Sequence, residues 1–296
     1  MKKMKCFISG GSGFIGSRLI ETLKKEKDLE LVNYDLVNGD DIRDEFKLNS
    51  VFEKNKFDVV IHLAARAGIR TGEDYPNEFM TTNVIGTNNI VRMCQKHKVN
   101  KLIFYSSSSV LGGNKEIAGK LLPLTEESEY QCDSLYAQTK MFGEYLVKQS
   151  GLNYIIIRPF TVYGENGRGD MVMYKWINQV KKGEPITFYG DGKTSRGYTY
   201  VQDLVDGTIS FLKAESLNNE TVNLGGVEVI ELGKLLKILG DVCRSKKIEL
   251  EIDRQEKPKA DVSHSFADVS KAEKLIGYSP NSKFYDIVKS IFKKEL

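Results

Sequence analysis

The 296-residue chain has no apolar run near the roughly 18 residues that a membrane-spanning helix requires, so a helical membrane protein is not expected. Cysteine is scarce. Cys6, Cys94, Cys132 and Cys243 are scattered with no C-x-x-C pair, a pattern that fits reduced thiols better than a disulfide frame or a zinc site. The three histidines are equally dispersed, and no metal is expected. Charge of one sign is missing too: 43 Lys and Arg against 40 Asp and Glu leave +3, which calls for no nucleic acid and remains compatible with a small phosphorylated ligand. After the basic residues at the start, only residues 6–8 are apolar before Ser9, too few for a secretory core, so a cytoplasmic location is expected. No internal repeat or low-complexity segment is present.

Short apolar runs at 5–9, 30–34, 59–63, 101–105 and 154–158 alternate with helical patterns at 14–26, 84–97 and 135–148. Strands separated by helices predict a parallel sheet with crossover connections. Val59-Val60-Ile61 and Ile155-Ile156-Ile157 are apolar without alternation, as strands covered on both faces are. The expected fold class is α/β, a doubly wound parallel sheet. After Gly164 the pattern breaks. A helix-like stretch at 171–182 and the turn cluster Gly190-Asp191-Gly192-Lys193 predict a smaller lobe, and 198–212 reads as a strand and helix returning to the core.

Gly10-Gly11-Ser12-Gly13-Phe14-Ile15-Gly16 follows the first strand and opens a helix with Ile15, Leu19 and Leu23 on one face. This is the Rossmann-like context of a phosphate-binding turn, in which main-chain N–H groups reach a pyrophosphate at a positive helix end. Two registers fit, one on Gly11, Gly13 and Gly16 and one on Gly10, Gly13 and Gly16. Asp35 ends the second strand 19 residues after Gly16, where a carboxylate accepts from ribose hydroxyls and repels a 2′-phosphate, so NAD is expected rather than NADP.

Tyr136 and Lys140 are four apart in a helical stretch and share a face, so an ammonium stands beside a phenol that is a candidate base. Ser106-Ser107-Ser108-Ser109 closes the 101–105 strand at the carboxyl edge, where open α/β sheets bind ligands. Cys132 lacks a paired base and His62 reads as a packed polar residue, so neither is assigned to catalysis.

Across 9–16, Asp41-Ile42-Arg43-Asp44, His62-Leu63-Ala64-Ala65, 83–87, 106–112, 136–140, 158–164, 190–203 and 267–280 the chain resembles the extended short-chain dehydrogenase/reductase family, and within it the NAD-dependent nucleotide-sugar epimerases and dehydratases. The resemblance implies Ser107, Tyr136 and Lys140 as catalytic residues. It implies cofactor contacts at Gly10, Gly13, Phe14, Ile15, Gly16, Asp35, Asp41, Ile42, Leu63, Ala64, Ala65, Asn83, Tyr136, Lys140 and Phe160. Dehydratases of the family carry an Asp-Glu pair where Ser108 and Ser109 stand, and decarboxylases usually keep a Glu at the second position. C4 epimerisation through a 4-keto sugar is therefore the implied reaction.

Residues 158–164, 167–171 and 62–70 look most like UDP-glucuronate 4-epimerases, with Thr161 where neutral-sugar enzymes commonly have Asn. Substrate contacts are then expected from Ser107, Ser108 and Thr161 to a sugar carboxylate and from Arg168 and Arg196 to the diphosphate, with a weaker expectation for Arg70. Phe188 or Tyr189 is a candidate uracil platform. A neutral UDP-hexose 4-epimerase, a UDP-glucuronate decarboxylase and an inactive NAD-binding sensor remain open alternatives. The expected organisation is an NAD-binding domain at 1–164 rejoined by 198–226, a nucleotide-sugar lobe at 165–197 and 227–296, and a homodimer. Only five residues separate Asp35 from Asp41, fewer than in the glucuronate enzymes, and Leu111, Gly197 and Gln202 replace a usual Tyr, Asp and Asp.

Overall fold

A computed structural model describes residues 3–258 and 261–296, with the side chain of Arg70 outside the description. Six strands form one parallel sheet in the spatial order Glu220–Leu224, Tyr154–Pro159, Lys101–Tyr105, Val59–His62, Met4–Ser9 and Leu29–Tyr34. Every residue of Val59–His62 and Lys101–Tyr105 is buried. Helices cover both faces, which is why these strands are apolar without alternation. Strand order reverses between Met4–Ser9 and Val59–His62, and the carboxyl ends of these two strands open a cleft at that point.

Element boundaries differ from the expected ones for local reasons. The first helix, Phe14–Leu23, stops before the lysines at 24 and 25, whose N–H groups close a turn. The helix expected at 84–97 starts earlier, with a π-helical segment Met80–Gly86 that runs into Thr87–Lys96. A helix at Glu45–Lys54 has no counterpart in the pattern reading, because it buries only Leu48 and Phe52. Its signal is the cap, Asp44 accepting from the Lys47 N–H.

Helix Val201–Lys213 packs on Phe14–Leu23 and delivers the chain to the edge strand Glu220–Leu224. A second core gathers Trp176, Phe188, Leu235, Ile238, Val288 and Phe292 from helices Val172–Lys181, Leu232–Ser245 and Phe284–Glu295 and from strand Ile186–Tyr189. Helix Ser270–Ile276 packs instead on Glu220–Leu224, with Ala272 in the core of the large sheet.

Candidate active site

A cleft of about 1080 Å³ runs from the glycine turn to the second core. At its first end Gly10 adopts φ +76°, and a Cβ there would lie 2.6 Å from the Ala64 nitrogen; one on Gly16 would lie 2.2 Å from the Gly10 carbonyl oxygen. Gly11 faces away, into Asn33 and Ile20. The register that lines the cleft is therefore Gly10, Gly13 and Gly16. No side chain caps the first turn of Phe14–Leu23 and no acid sits in it, so its N–H groups are left for an anion. Phe14, Ile15, Leu63, Ala64 and Ala65 line the same end.

Asp35 is buried at the rim, its carboxylate accepting from the Ser12 N–H at 2.8 Å and the Val37 N–H at 3.0 Å. The short segment after it closes as a 3₁₀ turn at Leu36–Asn38, ended by Gly39 at φ +79°. Asp41 pairs with Arg43 at 2.6 Å, and the hydrogen bonds from Arg43 hold its carboxyl below the usual range. Ile42 is buried and still reaches the cleft. A phosphate-binding cradle followed by a rim carboxylate fits a dinucleotide.

Two expected cofactor contacts sit behind the wall. Asn83, in the π-helical segment, spends its amide on the Arg66 main chain, at 2.7 Å to the N–H and 2.9 Å to the carbonyl, and thereby holds the loop after Val59–His62. Phe160 is fully buried with Val110, Leu111 and Leu124, and its N–H donates to the Leu224 carbonyl. Periodicity gives no hint that these positions face inward.

Ser107, Tyr136 and Lys140 converge in the middle of the cleft. Ser134 caps helix Leu135–Lys148 by accepting from the Ala137 N–H, which sets the phase that turns Tyr136 and Lys140 toward the strand ends. Burial pushes the Tyr136 phenol above its ordinary value, while a hydrogen bond with Ser107 acts the other way. The Lys140 ammonium donates to the Tyr105 carbonyl at 2.7 Å and lies 5.2 Å from the Phe104 ring centre, and burial lowers its pKa to about 7. Ser107 Oγ accepts from the Ser109 N–H and donates to Ser109 Oγ, both at 3.1 Å, so Ser109 orients the hydroxyl that faces Tyr136.

Ser108 and Thr161 line the cleft beside this group. Arg196 donates to the main-chain carbonyls of Ser195, Val262 and Ser263. Arg168 instead grips Asp170 with two hydrogen bonds, at 2.5 and 3.0 Å. The side chain of Arg70 falls outside the described residues. Phe188 is buried in stacked contact with Trp176, whereas Tyr189 lines the cleft with Lys175 5.1 Å from its ring centre. Of the two candidate platforms, only Tyr189 is placed for a ligand.

His62 is buried between Ser9 Oγ at 2.6 Å and Thr87 Oγ1 at 3.0 Å, and burial lowers its pKa to about 3, so it packs as a neutral ring. Leu111 is buried, and Gly197 presses on Phe266, where a Cβ would stand 2.9 Å from the Phe266 Cβ. Glu144 escaped the sequence reading although it shares the face of Tyr136 and Lys140. It forms a buried pair with Arg158 at 2.8 Å. The signal was the i, i+4, i+8 spacing of the three residues.

The chain is 31% identical over 309 aligned residues to an uncharacterized UDP-glucose epimerase of Bacillus subtilis, covering 96% of this chain and 95% of that one. It is 33% identical to the UDP-glucuronate 4-epimerase of Thermodesulfobacterium geofontis over 88% of this chain and 77% of that one. Its fold matches the crystal structure of the Bacillus cereus UDP-glucuronic acid 4-epimerase, in complex with UDP-glucuronic acid and NAD, with a TM-score of 0.87 at 28% identity over 98% and 99% of the two chains. The family model for the NAD dependent epimerase/dehydratase family matches residues 6–225. With that match spanning both the glycine cradle and the Ser107–Tyr136–Lys140 group, the chain belongs to the NAD-dependent epimerase/dehydratase family.

Proposed function

We propose that the protein is a UDP-glucuronate 4-epimerase that interconverts UDP-glucuronate and UDP-galacturonate. The observation that carries this reading is the group of hydroxyls, Ser107, Ser108 and Thr161, beside Tyr136 and Lys140 in one cleft, with serines where a dehydratase needs carboxylates. Hydroxyl donors to a carboxylate are charge-assisted and hold it firmly. The similarity to the Thermodesulfobacterium geofontis and Bacillus cereus enzymes supports the same substrate.

In this reading Gly10, Gly13, Gly16 and the first turn of Phe14–Leu23 hold the cofactor pyrophosphate, and Asp35, Asp41 and Ile42 border its adenosine. NAD, when bound, supplies hydride acceptance and return at the sugar C4. Tyr136 takes the proton of the C4 hydroxyl and later gives one back, Ser107 orients that hydroxyl, and Lys140 favours the phenolate by its charge. Thr161 and Ser108 hold the C5 carboxylate out of line with the adjacent ketone, which suppresses loss of carbon dioxide. Arg196, anchored by three carbonyls, takes the diphosphate. Arg168 does so only by exchanging Asp170 for the substrate. Tyr189 carries the uracil.

The domain division belongs to the same reading: 1–164 with 198–226 for the cofactor, and 165–197 with 227–296 chiefly for the nucleotide sugar. A cytoplasmic homodimer completes it. Ile85, Phe142 and Tyr145, at 52%, 50% and 62% exposure on the packed segments Met80–Gly86 and Leu135–Lys148, offer an apolar face for a second copy.

The test is to incubate the protein with UDP-glucuronate and NAD and follow the anomeric protons by NMR. UDP-galacturonate alone is expected. A pentose product would mean decarboxylation. Conversion of UDP-glucose with UDP-glucuronate untouched would overturn the role given to Thr161.

A further inference from the structure

We propose that Glu144 is a positioning residue for the reaction: its buried carboxylate, locked by Arg158, keeps the Lys140 ammonium charged and fixes the strand end that carries Ser107. The inference rests on the reading of Lys140 and Tyr136 as the catalytic pair.

Glu144 is fully buried and lies one helical turn beyond Lys140 and two beyond Tyr136 on the same face of Leu135–Lys148. Its oxygens accept from Ser106 Oγ at 2.5 Å, from Arg158 Nε and Nη2 at 2.8 Å each, from the Tyr130 hydroxyl at 2.7 Å and from Lys148 Nζ at 3.4 Å. These donors come from the ends of two sheet strands, from the loop ahead of the helix and from the helix itself. Ser106 is the neighbour of Ser107, so the carboxylate also pins the strand end from which the catalytic hydroxyl projects. A buried ion pair is weak evidence for stability, since well-packed apolar residues of similar volume serve as well or better. A charge kept here at such expense calls for another use.

That use lies at Lys140. Around its ammonium stand the Tyr105 carbonyl and the Phe104 ring from Lys101–Tyr105, the buried neutral His62 from Val59–His62, Tyr136 one turn earlier on its own helix, and Glu144 one turn later with Arg158 of Tyr154–Pro159 paired to it. Burial drives the ammonium toward the amine, and Glu144 is the charge that opposes it. Tyr130 and Lys148 shield the outer side of the pair, with Lys148 Nζ 2.9 Å from the Tyr130 hydroxyl.

The test uses the NAD-loaded protein with ¹³C-labelled lysine, the Lys140 signal being assigned by its loss in Lys140→Met. In Glu144→Gln the titration midpoint of Lys140 is expected to fall by about 1 pH unit or more, as when an opposite charge at close range is removed. Glu144→Asp, which keeps the charge, is expected to hold the midpoint. The basic limb of UDP-glucuronate turnover is expected to move with it. Should Glu144→Gln fail to fold, the double change Glu144→Gln with Arg158→Met leaves no orphan charge and is titrated instead.

An unmoved midpoint in a folded variant overturns the proposal, as does turnover that falls equally in Gln and Asp with no shift of the limb. A midpoint that falls in a protein inactive on UDP-glucuronate would leave Glu144 its role and overturn the substrate reading alone.

Discussion

The Lys140 ammonium is seated on the main-chain carbonyl of Tyr105 at 2.7 Å, so helix Leu135–Lys148 and strand Lys101–Tyr105 are joined at the point where chemistry is expected. Lys140→Met leaves that buried carbonyl without its donor, at a cost of about 1–3 kcal/mol. Calorimetry is expected to show a lower melting temperature beside the lost turnover. An unchanged melting point would show that the carbonyl finds another donor.

Tyr136→Phe removes the hydroxyl proposed to move the proton and leaves the ring edge-on to Phe79, 6.3 Å between centres. Turnover is expected to fall by about 10²–10⁴-fold, the usual contribution of general acid–base catalysis. NAD binding, followed by fluorescence quenching, is expected to persist.

Gly16→Ala forces a Cβ to 2.2 Å from the Gly10 carbonyl oxygen and 2.7 Å from the Gly11 Cα, both main-chain atoms. Gly39→Ala meets no steric obstacle and strains only a turn at φ +79°. Loss of NAD affinity is expected for the first and near-normal affinity for the second, measured by isothermal titration.

Thr161→Val and Ser108→Ala each remove one hydroxyl from the proposed carboxylate site. Slower epimerisation with some release of carbon dioxide is expected, read by trapping labelled gas. Arg196→Ala is expected to raise KM far more than it lowers kcat.

Burial pushes the His62 imidazole down to about 3 in the folded chain, from an ordinary value near 6.5. The unfolded chain binds the proton first, so this residue's contribution to stability is complete above about pH 6.5 and erodes as pH falls toward 3. The slope attributable to it is about 1.4 kcal/mol per pH unit. Denaturant titrations of wild type and His62→Asn at pH 7 and pH 5 are expected to converge at the lower pH.

Legibility followed how local the physics is. The glycine cradle, the strands and the Tyr136–Lys140 spacing announce themselves because each is fixed within a few residues. The choice between Gly10 and Gly11 needed Asn33, from strand Leu29–Tyr34, and Ala64, from the loop after Val59–His62. Asn83 and Phe160 sit in motifs that read as functional, yet their partners, the Arg66 main chain and the core around Val110, turn them inward. Phe188 and Tyr189 are neighbours in one strand, so only knowing which face meets Trp176 separates them. Helix Glu45–Lys54 stayed hidden because little of it is buried.

The place of Glu220–Leu224 in the sheet has a bearing on birth at the ribosome. Its partner strand ends at Pro159, about 60 residues earlier, and the intervening chain carries Trp176 and Phe188, whose core partners Leu235 and Phe292 come later still. At about 5–20 residues per second, the flank of Tyr154–Pro159 waits several seconds for its neighbour. An unpaired apolar strand is a template for wrong partners. Nascent chains stalled between 160 and 219 should therefore be the form of this protein that recruits chaperones most strongly.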